Sequence, residues 1–482
     1  MRSSRFFFRV IALSILVLVA VFPADARKKA KVSDVPAAPK YVFYLIGDGM
    51  GINEVRGTEI YNQATGNGPA EVNFFHFPVR TFVNTNSATS LVTDSAAAGT
   101  ALATGTKTYN NAMGVGMDKL PLSNLTEWAS SKGFGCGVCS SVGVNHATPA
   151  AFYAHTEDRN SYETITEQLI AADQVSFAAG SALLNEKRKT GHDSAYLENL
   201  VKEAGIAVVY GKEGIANTDM AGLQQRVLCL DVPGGSSDLT AAINRRGGET
   251  ELTDFVKAGI DYLYGHFAGK GFFFMIEGGA IDHHGHNDDA AADFWEVNDF
   301  AKSIDAVLAF YDQHPDETLI VITADHETGG LMLGAGQYEM HPERLAAQKY
   351  DQGHLNNAFR KLSEDGNVPS WEDVKNFFKE NLGLWDAIRM RPDQEASLKA
   401  MYDRQFARKE GEETVRTLYS SNSRIVAEAM LVAAKSAGYG WSYGCHSGSP
   451  VGLYVKGCCA EEFLKCTDNT DIPNMIRTVA GY

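Results

Sequence analysis

Several short stretches of the chain gather the side chains that hold metals. Asp48 sits between Gly47 and Gly49, which leaves backbone room for a ligand to come close. Asp282 and His286 stand four residues apart in Asp282-His283-His284-Gly285-His286, with Glu277 five residues before Asp282. Asp325-His326 is a further pair, and His446 follows Cys445. Imidazole with carboxylate suits zinc, and carboxylate with hydroxyl suits magnesium. Taken singly, a Gly-Asp-Gly is more often a turn and an Asp-His pair a surface loop. The stretch Asn86 to Thr108 is of another kind, with small residues almost throughout. Within it, Asp94 precedes Ser95 and an Ala/Gly-rich run, the pattern of a capped helix start whose backbone N–H groups can hold an anion. It is not the Gly-x-Ser-x-Gly elbow of an α/β-hydrolase.

The elements that must position these residues are legible in the hydrophobic pattern. Four apolar runs end abruptly in polar clusters. Tyr41 to Ile46 runs into Asp48, and Phe272 to Ile276 into Glu277. Leu319 to Ile322 runs into Asp325-His326, and Gly135 to Ser141 into Asn145-His146. Short continuous runs rich in β-branched and aromatic residues predict buried strands of a mainly parallel sheet. Amphipathic stretches at Ser161 to Ala172, Leu252 to Gly265 and Ala290 to Tyr311 predict crossover helices. The expected fold is α/β, a three-layer sandwich with a central, mostly parallel sheet between helices. Open α/β sheets bind ligands beyond the carboxyl ends of their strands, where the polar clusters fall. Two regions read as insertions: residues 182–250, with a Gly-rich turn at Gly234-Gly235, and residues 336–435, charged and helix-patterned like a cap over the site. Val451 to Lys456 reads as a strand returning to the sheet.

The first residues read as an export signal. Arg2, Arg5 and Arg9 precede an apolar run from Ile11 to Val21, and Ala24-Asp25-Ala26 has a small-x-small cleavage pattern. The run is short for a membrane span, so no stable anchor is expected. Residues 27–40 read as a flexible leader and 41–482 as the catalytic domain. The expected location is periplasmic or extracellular after cleavage near Ala26. The formal net charge is −16, and losing three Arg and one Asp with residues 1–26 takes it to −18. So acidic a surface argues against nucleic-acid binding, and it requires any site for an anionic substrate to make its positive charge locally. Seven Cys is an odd number for an exported chain. Cys136 and Cys139 alternate as in a strand, whereas Cys445, Cys458, Cys459 and Cys466 could supply one or two disulfides.

Taken in order, the stretches YLIGDGMG, TDSAAAGTALATGTKTYN, HATPAAFYAHTEDR, IEGGAIDHHGH, ITADHETGG, GCHSG and TDNTDI resemble those of the zinc-dependent bacterial and animal alkaline phosphatases, from residue 41 to residue 472. The resemblance implies phosphomonoester hydrolysis through a phosphoserine at Ser95, with small phosphate monoesters as substrates. It implies one zinc at Asp282, His286 and His446, and a second at Asp48, Asp325 and His326 with Ser95 as the reacting ligand. A third site, usually magnesium, would use Asp48, Thr148 and Glu277, and Arg159 would clamp the phosphate. A homodimer is the family's common assembly, unless the 336–435 insertion replaces that interface. Physical chemistry supports these roles. A serine hydroxyl must be activated, and no His adjoins Ser95 in sequence, so a metal is the natural device. A planar guanidinium reads two phosphate oxygens at once.

Three positions depart from the best-known bacterial pattern. His146 stands near the expected magnesium site, which leaves the third metal's identity open, and His283 stands near the phosphate, so its ionisation would affect rate. Thr328 stands where many relatives have His, which is expected to remove a partner of the metal ligands and loosen a zinc. Two rival readings are a phosphodiesterase or sulfatase of the same superfamily, for which Arg159 is unexpected, and a secreted zinc-binding protein without catalysis.

Overall fold

The computed structural model describes residues 38–482 apart from 337, 365–366 and 443. The expected signal segment 1–26 and most of the leader 27–40 lie outside the described residues. No helix among them is long and apolar enough to cross a membrane.

Nine strands form the central sheet: β1 (Tyr41–Gly47), β2 (Val79–Val83), β3 (Gly135–Ser140), β4 (Val175–Gly180), β5 (Ala207–Tyr210), β6 (Val227–Leu230), β7 (Phe272–Gly278), β8 (Thr318–Ala324) and β9 (Val451–Gly457). Their order is β2-β9-β8-β1-β7-β3-β4-β6-β5. The pairings from β8 to β5 are all parallel. β9 returns antiparallel between β8 and β2. Every residue of β1, β3, β7 and β8 is buried. That pattern follows from helices on both faces, so successive side chains each find an apolar layer. Phe43 packs edge-on to Phe310 of the helix Ala290–Tyr311, with ring centroids 5.4 Å apart. Its neighbour Tyr44 meets Phe152 on the opposite face at 6.0 Å. The helices expected from periodicity form at Tyr162–Ala171, Leu252–Phe267 and Ala290–Tyr311.

The stretch 182–250, read from sequence as an insertion, carries β5 and β6 and so builds the far edge of the sheet. Both are only four residues long, and β5, at the edge, is partly exposed, so neither makes a strong local pattern. The segment 336–435 is largely helical and has its own core, in which Leu355, Phe359, Val374, Phe378, Leu398 and Val426 are buried. Tyr61 and Phe294 of the sheet-flanking helices join that same cluster. Of the terminal cysteines, Cys445 is exposed and Cys466 is buried. Cys136 and Cys139 are buried side chains of β3.

Candidate active site and metal centre

Parallel register brings the chemistry together. Gly47 of β1 lies opposite Gly278 of β7 and Ala324 of β8, and Ser140 of β3 lies opposite Glu277. The four strands therefore end level, and Asp48, Asp325, Glu277 and the β3 loop with His146 leave the sheet at one edge. Gly49 (φ 71°) makes the turn after Asp48, and a Cβ there would meet the Asp282 backbone at 2.8 Å. Only glycine fits where two ligand-bearing segments pass this closely.

Three groups of buried ligands result: Asp282, His286 and His446; Asp48, Asp325 and His326; and Asp48, His146 and Glu277. In the first, His286 and His446 each place Nε2 3.5 Å from Asp282 Oδ1. Each ring donates Nδ1–H to a backbone carbonyl, His286 to Gly444 at 2.9 Å and His446 to Thr93 at 2.8 Å. Both therefore turn a bare Nε2 inward, and the two atoms are 3.1 Å apart. Two lone pairs at that separation repel unless a metal cation or a shared proton lies between them.

The second group has the same logic. His326 Nε2 is 3.4 Å from Asp48 Oδ1 and 3.2 Å from Asp325 Oδ2. Asp325 Oδ1 accepts from the backbone N–H of Gly49 at 3.1 Å and of His326 at 2.9 Å, which leaves Oδ2 inward. In the third group, Ser140 donates to Glu277 Oε2, and Thr148 Oγ1 donates to Asp48 Oδ2 at 3.4 Å. His146 supplies an imidazole where the resemblance implied only Thr148 beside the carboxylates.

Asp48 Oδ1, Asp325 Oδ2, Asp282 Oδ2, Glu277 Oε1 and His146 Nδ1 are buried without a hydrogen-bond partner. Burial raises Asp48 and Asp325 well above the usual carboxylate range, and the neighbouring carboxylates raise them further. Burial likewise lifts Glu277 to about 7. Burial would raise Asp282 as well, but the imidazoles of His286 and His446 hold it below its ordinary value. Orphaned carboxylates and imidazoles of this density fit bound divalent cations.

Ser95 opens the helix Ser95–Thr104, and Asp94 caps it by accepting from Ala97 N–H at 3.0 Å. The Ser95 hydroxyl Oγ lies 3.2 Å from His326 Nε2, although the two residues are 231 positions apart. Asp94 Oδ2 also accepts from Arg159 Nη1 at 3.2 Å, while Arg159 Nη2 donates to His146 Nε2 at 3.1 Å. The guanidinium is thereby held beside Asp94, the residue before the serine. Burial holds the His146 imidazole neutral, well below its ordinary pKa, and Arg159 acts in the same direction. His283 is the reverse. Burial opposes its charge, but Asp238 Oδ2, 2.9 Å from Nδ1, raises it.

Thr328 corrects an expectation. Its hydroxyl donates to Asp282 Oδ1 and lies 3.2 Å from His326 Nδ1, so it bridges the first two ligand groups where a gap was expected. The sequence reading missed Tyr419, Asp238 and Asn287. Tyr419 lies against His283 with ring centroids 3.7 Å apart and planes tilted by 38°, and no motif marks it within the charged helical segment.

A family model described as alkaline phosphatase matches residues 39–482. Alkaline phosphatase 3 of Bacillus subtilis is 30% identical, with 98% of this chain and 95% of that protein covered. Alkaline phosphatase 4 of the same organism is 29% identical, covering 94% and 90%. Among solved structures, the alkaline phosphatase of Thermus thermophilus superposes with a TM-score of 0.73 at 25% identity, covering 96% of each chain. The cold-active alkaline phosphatase of a psychrophilic Shewanella superposes with a TM-score of 0.72 at 27% identity, covering 91% of this chain and 99% of that one.

Proposed function

We propose a residue-level route for this chain, which belongs to the alkaline phosphatase family and hydrolyses phosphate monoesters. The observation that carries it is Ser95 Oγ standing 3.2 Å from a ligand nitrogen, at a helix start and amid three ligand groups. Ser95 Oγ attacks phosphorus, the ester P–O bond breaks, and the alcohol leaves with a proton. Water then cleaves the phosphoserine and regenerates the hydroxyl. Arg159, held by Asp94 and His146, presents its remaining N–H groups to two phosphoryl oxygens. The helix start adds backbone N–H groups without intrahelical partners. Thr328 holds Asp282 and His326 at a common spacing, and Ser140 orients Glu277.

Zinc suits the two groups Asp282, His286, His446 and Asp48, Asp325, His326; magnesium suits Asp48, Thr148 and Glu277, although His146 adds a nitrogen that zinc would use better. Bound there, these cations would neutralise the carboxylates, lower the pKa of the serine hydroxyl and stabilise the entering and leaving oxygens. The reading includes export by the 1–26 leader and dimerisation, which sizing of the mature protein would test.

Aryl phosphate hydrolysis at alkaline pH, with and without a chelator, tests the scheme in wild type and Ser95→Ala. The expected result is chelator-sensitive turnover that Ser95→Ala abolishes while keeping its metals. Turnover that survives both would overturn it, and faster release from a diester or sulfate ester would assign the chain another reaction.

A further inference from the structure

The hairpin Thr414–Arg416/Ser421–Ser423 projects from the helical segment onto the catalytic edge of the sheet. Its turn is fastened to Asn287. Asn287, the residue after the ligand His286, offers Oδ1 to Thr417 Oγ1 at 3.2 Å, to Ser420 Oγ at 2.7 Å and to Asn422 Nδ2 at 3.1 Å. Thr417 N–H also closes the turn on Ser420 O at 3.0 Å. Asn422 in turn accepts from Asn356 at 2.5 Å and donates to Gln352, both on the cap helix Gln352–Lys361. The hairpin tip is therefore held between the ligand helix and the cap.

Tyr419 stands at that tip. Its ring lies 3.7 Å from the His283 ring, 5.3 Å from His286 and 6.2 Å from His146, measured between centroids. Its Oη is shut off from solvent, and the Asp282 carboxylate is within hydrogen-bonding reach of it. The charged groups that act on it are Asp282, Arg159 and Asp48. A phenol in its ordinary form is a donor and needs an acceptor. Asp282 and Asp48 are the carboxylates that face the cations in the proposed function. A cation held by Asp282 would compete for that carboxylate and leave the Oη hydrogen to another acceptor, and a substrate phosphoryl group beside Arg159 supplies one.

We propose that Tyr419 is a substrate-contacting residue whose Oη donates a hydrogen bond to a non-bridging phosphoryl oxygen. The helical segment thus supplies a phosphate ligand of its own. This inference rests on the phosphatase reading above.

The test uses metal-loaded wild type and Tyr419→Phe, which keeps the ring and removes only the hydroxyl. Calorimetric binding of inorganic phosphate, metal content and aryl phosphate turnover are measured separately. Loss of a charge-assisted hydrogen bond is expected to weaken phosphate binding about tenfold, or ~1.4 kcal/mol, with full metal content. Phosphate affinity within twofold of wild type overturns the proposal, and so does a loss that only follows loss of metal. Releasing the tip with Thr417→Ala/Ser420→Ala should weaken phosphate binding in wild type and add little in Tyr419→Phe. Fully additive losses would show that the anchor does not act through Tyr419. Wild type that binds phosphate yet hydrolyses no monoester would strike the reaction reading and leave this contact standing.

Discussion

Thr328 shows how much a single hydroxyl can carry in this site. It donates to Asp282 and lies within hydrogen-bond distance of the His326 ring, two side chains from different ligand groups. Thr328→Val keeps the shape and removes both bonds. Groups that orient metal ligands are typically worth about 10–100-fold in metal affinity. Thr328→Val is therefore expected to lose its metals at about tenfold lower chelator concentration than wild type, with turnover falling in parallel. An unchanged chelator titration would mean that the two ligand groups are positioned without it. Neither contact was readable in the sequence, where Thr328 was only a position that departs from a pattern. The ligands themselves were readable, because Asp-His pairs at the ends of apolar runs are local signals.

At the scale of elements, the strand ends position the ligands, and side chains in the loops tie neighbouring elements together. One such tie is His155. Its Nδ1 donates to Gly114 O at 2.7 Å, and its Nε2 lies 3.4 Å from Glu127 Oε1. Glu127 closes the capping box of the helix Leu125–Ser131. Its hydrogen bond to Glu127 raises the His155 pKa above its ordinary value, and burial opposes this only in part. A raised imidazole pKa contributes stability that is complete below the unfolded value of ~6.5 and is lost as pH rises through the folded value. Wild type should therefore lose thermal stability relative to His155→Gln as pH rises above ~6.5. A difference in melting temperature that stays constant over that range would refute the assignment. The helices at Leu252–Phe267 and Ala290–Tyr311 were legible from periodicity, because each buries one face against the sheet. β5 and β6 were not, because they are four-residue strands at and next to a sheet edge, inside a Gly-rich, polar stretch.

For the whole molecule, the arrangement is two cores that share a boundary. The sheet core is continuous from β1 to the terminal helix Asp471–Ala480, and the helical segment 336–435 packs around Phe359 and Phe378, whose rings stack 5.6 Å apart. Phe359 is fully buried, and Phe359→Ala should cost about 3–5 kcal/mol of the stability of that unit. Because the hairpin bearing Tyr419 hangs from this unit, phosphate affinity should fall together with stability. Urea unfolding read by Trp fluorescence, alongside phosphate binding, checks both. A destabilised variant with unchanged phosphate affinity would show that the cap's packing does not reach the site.

By itself, the sequence determined the type of protein and the inventory of its site. Strand runs, their abrupt ends and the ligand types after them are set within a few residues, and local patterning reports them. Only the tertiary structure decided which ligands meet. Asp282 and His286 share a helix, but His446, 160 positions beyond His286, joins them only because β9 returns antiparallel beside β8 and carries the loop before it to the same edge. His326 reaches Ser95 for a similar reason: strand order and level register, not spacing along the chain, place β8 and the serine helix together. Tyr419 lies furthest from any local signal. Its position over His283 depends on a separate core folding and on three hydrogen bonds to Asn287, contacts between chain segments more than 100 residues apart.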